Sequence, residues 1–354
     1  MKFFVQLVTY NGAKYIPYLF QSLREQTSRE WELLIIDNHS SDDTVALMQK
    51  ELVNFPVASR VIVNSENVGF ARGHNQAFRE TSSEYFLILN QDLYLAPDCL
   101  KQLWQFIQQH PKAAAVAPRL MRWNFSAVIP SPNLVGGAEE SLGNLDKIFT
   151  NVIDSGGLKV FRNRRVVEIG QGEEWRAVSP QKISEVFGVS GACALFRRYA
   201  VNDALLNGQL FDETYVMYKE DVDLAFRLRS RGYAAYVVTD AVAYHDRTAA
   251  GQKDASDLAA AQNKKTQSAL VRYHSYKNHL MTLFKNEYGQ NFILDLPWIV
   301  WYELKKLGYF LLFDREVLGG FKEIWRGRKN LKLQRLKITE LRKDNWREIR
   351  KWWL

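Results

Sequence analysis

The stretch Trp31-Glu32-Leu33-Leu34-Ile35-Ile36-Asp37-Asn38-His39-Ser40-Ser41-Asp42-Asp43-Thr44 reads as a buried strand, a polar turn and a helix start in immediate succession. The same alternation extends to both sides. Phe3–Thr9 is predicted as a strand and Ile16–Gln26 as a helix. Thr44–Asn54 is predicted as a helix, Arg60–Asn64 as a strand, Gly73–Thr81 as a helix and Tyr85–Asn90 as a strand. Strands separated by helices of this length imply βαβ units, and so an α/β fold around a mostly parallel, twisted sheet. Such sheets seat ligands beyond the carboxyl ends of their strands. The polar residues there are Thr9-Tyr10-Asn11, Asp37-Asn38, Asn67-Val68-Gly69 and Asn90-Gln91-Asp92.

Composition narrows the class. A chain of 354 residues with 47% hydrophobic and 24% charged residues is a folded protein of one large domain or two. Cys99 and Cys193 sit in apolar surroundings without metal-ligand spacing, which argues against a disulfide framework and for a reducing compartment. The N-terminal apolar run is interrupted by Gln6 and leads into Asn11-Gly12, so it is expected to be the first strand rather than a signal peptide. No Gly-x-Gly-x-x-Gly fingerprint and no Gly-Lys-Ser/Thr phosphate loop is present, which disfavours a nicotinamide dehydrogenase or a P-loop hydrolase. The net charge of +8 is concentrated in the last 41 residues, where 13 Lys/Arg stand against 6 Asp/Glu. Such a segment suits an anionic membrane surface or nucleic acid. No nucleic-acid-reading module accompanies it, so no nucleic-acid partner is expected.

Beyond residue 124 the pattern changes. Residues 124–185, with Gly136-Gly137, Gly156-Gly157, Gly170 and Gly172, predict long loops and short strands, an insertion of the kind that covers a site. Phe187–Phe196 resumes as strand or loop, and Tyr233–Thr239 is predicted as a strand with Tyr244-His245 just past it. Ala249–Ala269 reads as a loop or surface helix. Phe292–Trp301 and Leu307–Phe313 are aromatic-rich but broken by Asp295, Pro297, Glu303, Lys305 and Lys306. Neither piece approaches the roughly 20 apolar residues of a membrane span. Amphipathic helices lying in the headgroup layer are expected; the alternative is a helical subdomain packed on its own core or on a second copy of the chain. The chain accordingly divides at about residue 250, with 1–250 binding the ligand and 251–354 a helical, basic, aromatic extension.

The residues suited to chemistry cluster in three further places. Phe211-Asp212-Glu213-Thr214-Tyr215-Val216-Met217-Tyr218-Lys219-Glu220-Asp221-Val222-Asp223-Leu224 brings three carboxylates to a helix start, and that helix is expected to stop at Gly232. Acids in a first turn complement the backbone dipole, but three beside Tyr215, Met217 and Tyr218 exceed what capping needs. Asp37 is suited to accept hydrogen bonds from a nucleobase imide or a ribose hydroxyl, whereas Asp42, Asp43 and Thr44 are equally suited to capping. Asn67 through Asn75 combines glycines, which let a backbone approach a ligand, with Arg72, whose fork fits a diphosphate. Asp92 ends a strongly apolar strand and can hold Mg²⁺ or Mn²⁺ against phosphate oxygens; the bland reading is a strand-end turn. His245 is a candidate second ligand from the far side of the sheet.

Taken together these residues resemble the family 2 glycosyltransferases, inverting enzymes with one nucleotide-sugar-binding α/β domain of the glycosyltransferase A type. The resemblance covers roughly residues 3–245. It is carried by Val8-Thr9-Tyr10-Asn11, by Ile36-Asp37-Asn38 with Ser40, Asp42 and Thr44, by Asn67-x-Gly69-Phe70, by Asn90-x-Asp92, by Ser190-Gly191-Ala192 and by Glu220-Asp221-x-Asp223-Leu224. The rhamnosyltransferase-like branch that builds bacterial surface polysaccharides is the nearest in look, with Asp154-Ser155-Gly156-Gly157 and Gly170-Gln171-Gly172-Glu173 also similar. The resemblance implies donor contacts by Thr9, Tyr10, Asn11, Asp37, Asn67, Gly69, Arg72, Asn90 and Gln91. It implies metal ligation by Asp92 and His245, Asp221 as general base, and Glu220 and Asp223 on the acceptor side. One departure matters: Asn90 stands where many relatives carry an acid, which shifts metal binding onto Asp92. The expected function is inverting transfer of a sugar, rhamnose by analogy, from a nucleoside-diphosphate donor to a glycan or lipid-linked glycan. The expected place is cytoplasmic, peripheral on the inner face of the cell membrane. A sugar nucleotidyltransferase and an inactive membrane-associated scaffold of the same fold are the alternatives.

Overall fold

The computed structural model describes residues 3–125, 148–175, 183–246 and 268–354. The expected loop or helix at Ala249–Ala269 lies, but for its last two residues, outside the described residues, as does Gly136-Gly137. The first elements are β1 (Phe3–Thr9), α1 (Ile16–Arg24), β2 (Trp31–Asp37), α2 (Thr44–Glu51), β3 (Ser59–Val63), α3 (Phe70–Arg79) and β4 (Tyr85–Asn90). There follow β5 (Leu93–Leu95), α4 (Cys99–Gln109), β6 (Ala113–Trp123), β7 (Phe149–Ser155), β8 (Leu158–Val160), β9 (Val166–Glu168), β10 (Ile183–Val186) and β11 (Cys193–Arg197). The rest is α5 (Arg198–Asp203), α6 (Glu220–Ser230), β12 (Ala234–His245), α7 (Ala269–Asn286), α8 (Gly289–Phe313), α9 (Gly320–Leu341) and α10 (Trp346–Arg350).

Eight strands run in the order β10-β12-β6-β11-β4-β1-β2-β3, with β5 on β12 and β7 on β6. From β3 to β4 the pairing is parallel, as βαβ connections require. Beyond β4 it becomes mixed, because β11 returns antiparallel to both β4 and β6. Alternation along β1 and β2 sorts side chains to two faces. Phe3, Val5 and Leu7 pack with Leu33, Ile35 and the α1 residues Ile16, Leu19, Phe20 and Leu23. Leu34 and Ile36 face Ala77 of α3 instead, so the sheet is covered on both sides. The register pairs Thr9 with Asp37 and Val8 with Asn90, which lines up the polar strand ends on one edge. α6 ends as expected, with Gly232 at φ 81° donating its N–H to the Arg229 carbonyl at 2.9 Å.

The C-terminal helices differ from expectation in extent. α8 is one continuous helix of 25 residues with Pro297 inside it, not two interrupted pieces. Of the charges that break its apolar pattern, Asp295, Glu303 and Lys306 turn inward, while Lys305 is exposed. Asp295 is fully buried, meeting Arg164 Nη1 at 3.0 Å and Arg350 at 2.8 and 2.9 Å, while Glu303 meets His279 Nε2 at 2.9 Å and Lys306 Nζ at 3.2 Å. The two regions also share a core, in which Tyr288, Ile349 and Trp353 pack on Leu158, Val160, Phe187 and Phe226. Among the described residues no helix is long and apolar enough to cross a membrane.

Candidate active site

The strand-end edge is built from hydrogen-bonded polar residues. Asp37 is buried, accepting from Thr9 Oγ1 at 2.9 Å, Ser40 Oγ at 2.6 Å and Ser40 N at 2.8 Å. Asn11, at φ 46°, accepts from Ser41 N at 2.8 Å and so joins the β1 end to the loop after β2. Gln91 holds the backbone of Tyr10 on both sides, accepting from its N–H at 2.9 Å and donating to its carbonyl at 3.0 Å. The Tyr10 ring is thereby left exposed. Asn67 Oδ1 accepts from Gly69 N at 2.9 Å. Gly69 sits at φ 84°, and a Cβ there would lie 3.2 Å from the Val216 carbonyl, so the α3 start is tied to the segment before α6. Arg72 is largely exposed and lies 3.4 Å from Glu213.

A second group lies one strand further. Asn90, Asp92 and His245 all line a cavity of about 590 Å³. β5 pairs antiparallel with β12 and registers His245 on Leu93, which is why two residues so distant in sequence meet. His245 Nε2 lies 3.5 Å from Asp92 Oδ1, and Nδ1 lies 2.8 Å from Asp154 Oδ2. Burial works against a charged imidazole here, but the carboxylates, Asp92 foremost, outweigh it and hold His245 up to about 10. The donor set could hold a divalent cation through two protein ligands, in which case the cation would displace the proton that the carboxylates keep on His245. Asp154 fixes the ring from the outer side, as ligating histidines require, and leaves Nε2 turned toward Asp92. Among the described residues no three His, Cys, Asp or Glu converge on one point, so phosphate oxygens and water would fill the remaining positions.

The acidic helix start forms the cavity's other side. Asp221 accepts from Gly191 N at 3.1 Å and from Val222 N at 2.7 Å and lines the cavity. Glu220 lines it too, with burial and then the adjacent Asp221 pushing its carboxyl pKa upward. Asp223 turns away. It is fully buried, bonded to Arg227 Nε at 3.0 Å, Asn286 Nδ2 at 2.8 Å and Lys285 Nζ at 3.0 Å. The backbone before the helix is unusual, with Val216, Tyr218 and Lys219 at φ of 62°, 67° and 72°. Strain of this kind amounts to roughly 1–3 kcal/mol per residue.

Sequence reasoning missed the contribution of α7 and α8. Ser275, Tyr276 and His279 of α7, with Tyr302, Lys306 and Phe310 of α8, wall the same cavity. On α7, Asn278, Thr282, Lys285 and Asn286 form a buried polar stripe against residues 212–223. Tyr215 Oη meets Thr282 Oγ1 at 2.8 Å, and Lys285 Nζ meets Asp212 Oδ2 at 2.7 Å. Their spacing repeats on one helix face, but nothing in the sequence distinguishes such a stripe from a solvated one.

The sequence model of the family described as Glycosyl transferase family 2 matches residues 5–164. Residues 5–164 form a family 2 glycosyltransferase domain. It is 28% identical over 290 residues to an N-acetylglucosaminyl-diphospho-decaprenol L-rhamnosyltransferase of Mycobacterium tuberculosis, an alignment spanning 77% of this chain and 84% of that one. The mannosyltransferase PcManGT from Pyrobaculum calidifontis, solved with GDP-Man and Mn²⁺, superposes with a TM-score of 0.50 at 16% identity, over 96% of this chain and 86% of that one. GalNAc-T7, solved with UDP, GalNAc and Mn²⁺, gives 0.53 at 12% identity over 80% of this chain, which spans about half the length of that protein. These two likenesses are of fold. The chain accordingly has the glycosyltransferase A architecture, with the family match ending between β8 and β9.

Proposed function

We propose that this glycosyltransferase moves a sugar, rhamnose by analogy with the mycobacterial relative, from a nucleoside diphosphate to a hydroxyl of a lipid-linked glycan, with inversion. The observation that carries the reading is that Asp221 and the Asp92–His245 pair line one cavity of about 590 Å³. Tyr10, Asn11, Asp37, Asn67, Gly69 and Gln91 shape the edge where the nucleoside would lie, and Asn90 borders the diphosphate. Arg72 would have to leave Glu213 to reach a phosphate. Asp92 and His245 would hold Mg²⁺ or Mn²⁺, which supplies positive charge to the leaving diphosphate.

Asp221 would take the proton of the attacking hydroxyl. Its neighbours are less suited to that transfer, since burial and the adjacent Asp221 disfavour the charged form of Glu220 and Asp223 is enclosed by Arg227, Lys285 and Asn286. Asp223 therefore serves in the proposal as a structural residue rather than an acceptor contact. The domain division at about residue 250 is retained as a division of sequence pattern, with both parts contributing to the cavity. Asp221→Asn should lower transfer about 10²–10⁴-fold, the usual span of a positioned base, with donor affinity in titration calorimetry within twofold. Activity within tenfold of the native enzyme would remove Asp221 from this role.

A further inference from the structure

Three of the residues that lead into Asp221, Val216, Tyr218 and Lys219, hold an improbable backbone. Val216 has φ 62° and ψ −59°, and the Met217 N–H donates to the Tyr215 carbonyl at 2.6 Å, which makes Val216 the centre of a γ-turn of the rare positive-φ kind. A β-branched residue in that region is an outlier. Tyr218 and Lys219 follow at φ 67° and 72°, and Lys219 directly precedes Glu220 and Asp221. Backbone of this kind persists only where its surroundings over-determine it. One contact comes from α3, where Phe70 N donates to the Val216 carbonyl at 3.2 Å. Three more converge from one side chain: Asn278 Nδ2 donates to the carbonyls of Tyr215, Met217 and Tyr218 at 2.9, 2.8 and 2.8 Å. Asn278 is fully buried and is not among the residues that line the cavity, and its Oδ1 has no partner among the described residues, so the hydrogen bonding of its side chain is directed at this loop.

We infer that Asn278 is a positioning residue for sugar transfer, holding residues 215–219 in the conformation that presents Asp221 to the cavity. The inference rests on the proposal that Asp221 receives the acceptor proton. Without the Asn278 amide, three carbonyls lose a shared donor and the positive-φ residues are free to relax toward the β region. The start of α6 then shifts, and with it the carboxylate that Gly191 N steadies at 3.1 Å. Displacement of a reacting group by about 1 Å is enough to lower turnover about 100-fold.

The test is made on the full chain with Asn278→Ala. The expected result is kcat lowered about 100-fold, donor Kd within twofold by calorimetry, and amide exchange of Met217 through Lys219 accelerated about tenfold or more, as local opening becomes easier. Adding Val216→Gly, which adopts positive φ without a Cβ clash, should return part of the lost kcat. Native kcat, or kcat and donor affinity lost in proportion, overturns the inference. If the alanine variant does not fold, Asn278→Ser retains one donor; it should lose about tenfold in kcat at unchanged donor Kd, and native kcat in that variant overturns the inference equally. If the native chain transferred no sugar, the proposed function would fail on its own. The exchange measurement would then still decide whether Asn278 holds the loop, unchanged exchange overturning it.

Discussion

At the scale of single residues, the site is decided by who flanks whom. His245 lies between two carboxylates, and Asp154 is the one that fixes its ring. Replacing Asp154 by Asn should weaken Mn²⁺ binding in the presence of nucleoside diphosphate about 10–100-fold, the usual effect of removing a partner behind a ligating histidine. Calorimetric titration of Mn²⁺ against the variant checks this, and unchanged affinity would take His245 out of the metal site. Asp92 and His245 are paired by the sequence only as expected metal ligands, and the structure sets them 3.5 Å apart. Asp154 was not legible, because its partner is 91 positions away and is brought to it only by the pairing of β6 with β7 and β12. Asp37 illustrates the reverse. The sequence marks it as an acid for a base or ribose, yet its oxygens are engaged by Thr9 and Ser40, and the Tyr10 ring is exposed at that edge.

At the scale of elements, α7 is the piece whose role was hidden. Lys285 is fully buried between Asp212 and Asp223, at 2.7 and 3.0 Å. Removing one partner of a buried ionic group leaves uncompensated charge, so Lys285→Met should destabilise the chain by about 3–5 kcal/mol in urea unfolding. Asp212 gives the same cluster a pH signature. Burial alone would raise its pKa, but Lys285 and Thr214 overcome this and hold it down to about 2, against 3.8 when unfolded. The contribution is therefore complete above about pH 4 and is lost as pH falls toward 2, because the unfolded chain takes up the proton first. It amounts to about 2 kcal/mol. Unfolding measured across that window should show the loss in the native chain and a smaller one in Lys285→Met. The strands of the first half were readable since apolar runs bounded by polar turns have few other solutions. The stripe Asn278, Thr282, Lys285 and Asn286 was not, since four polar residues on one helix face look like a solvated surface until the loop that needs them is in place.

At the scale of the molecule, the outer surface of the C-terminal helices is the remaining unpaired feature. Ile293, Trp298, Trp301, Leu312 and Phe313 of α8 and Trp325 of α9 are exposed, and the segment after α8 carries 13 Lys/Arg against 6 Asp/Glu. The expectation drawn from the sequence, that these helices lie in the headgroup layer of an anionic membrane, is tested on this face. Trp298→Glu with Trp301→Glu should shift the protein from the liposome to the soluble fraction in flotation with anionic vesicles, with little change in melting temperature. Retained flotation, or self-association that the same pair abolishes, would make the face an interface between copies instead. The polar grip of α7 on residues 212–223 has one further implication, for recombination. Grafting the C-terminal helices of another enzyme onto this sheet would strand the acidic loop without its own clamp, so a working chimera must exchange the loop and α7 as a single inherited block.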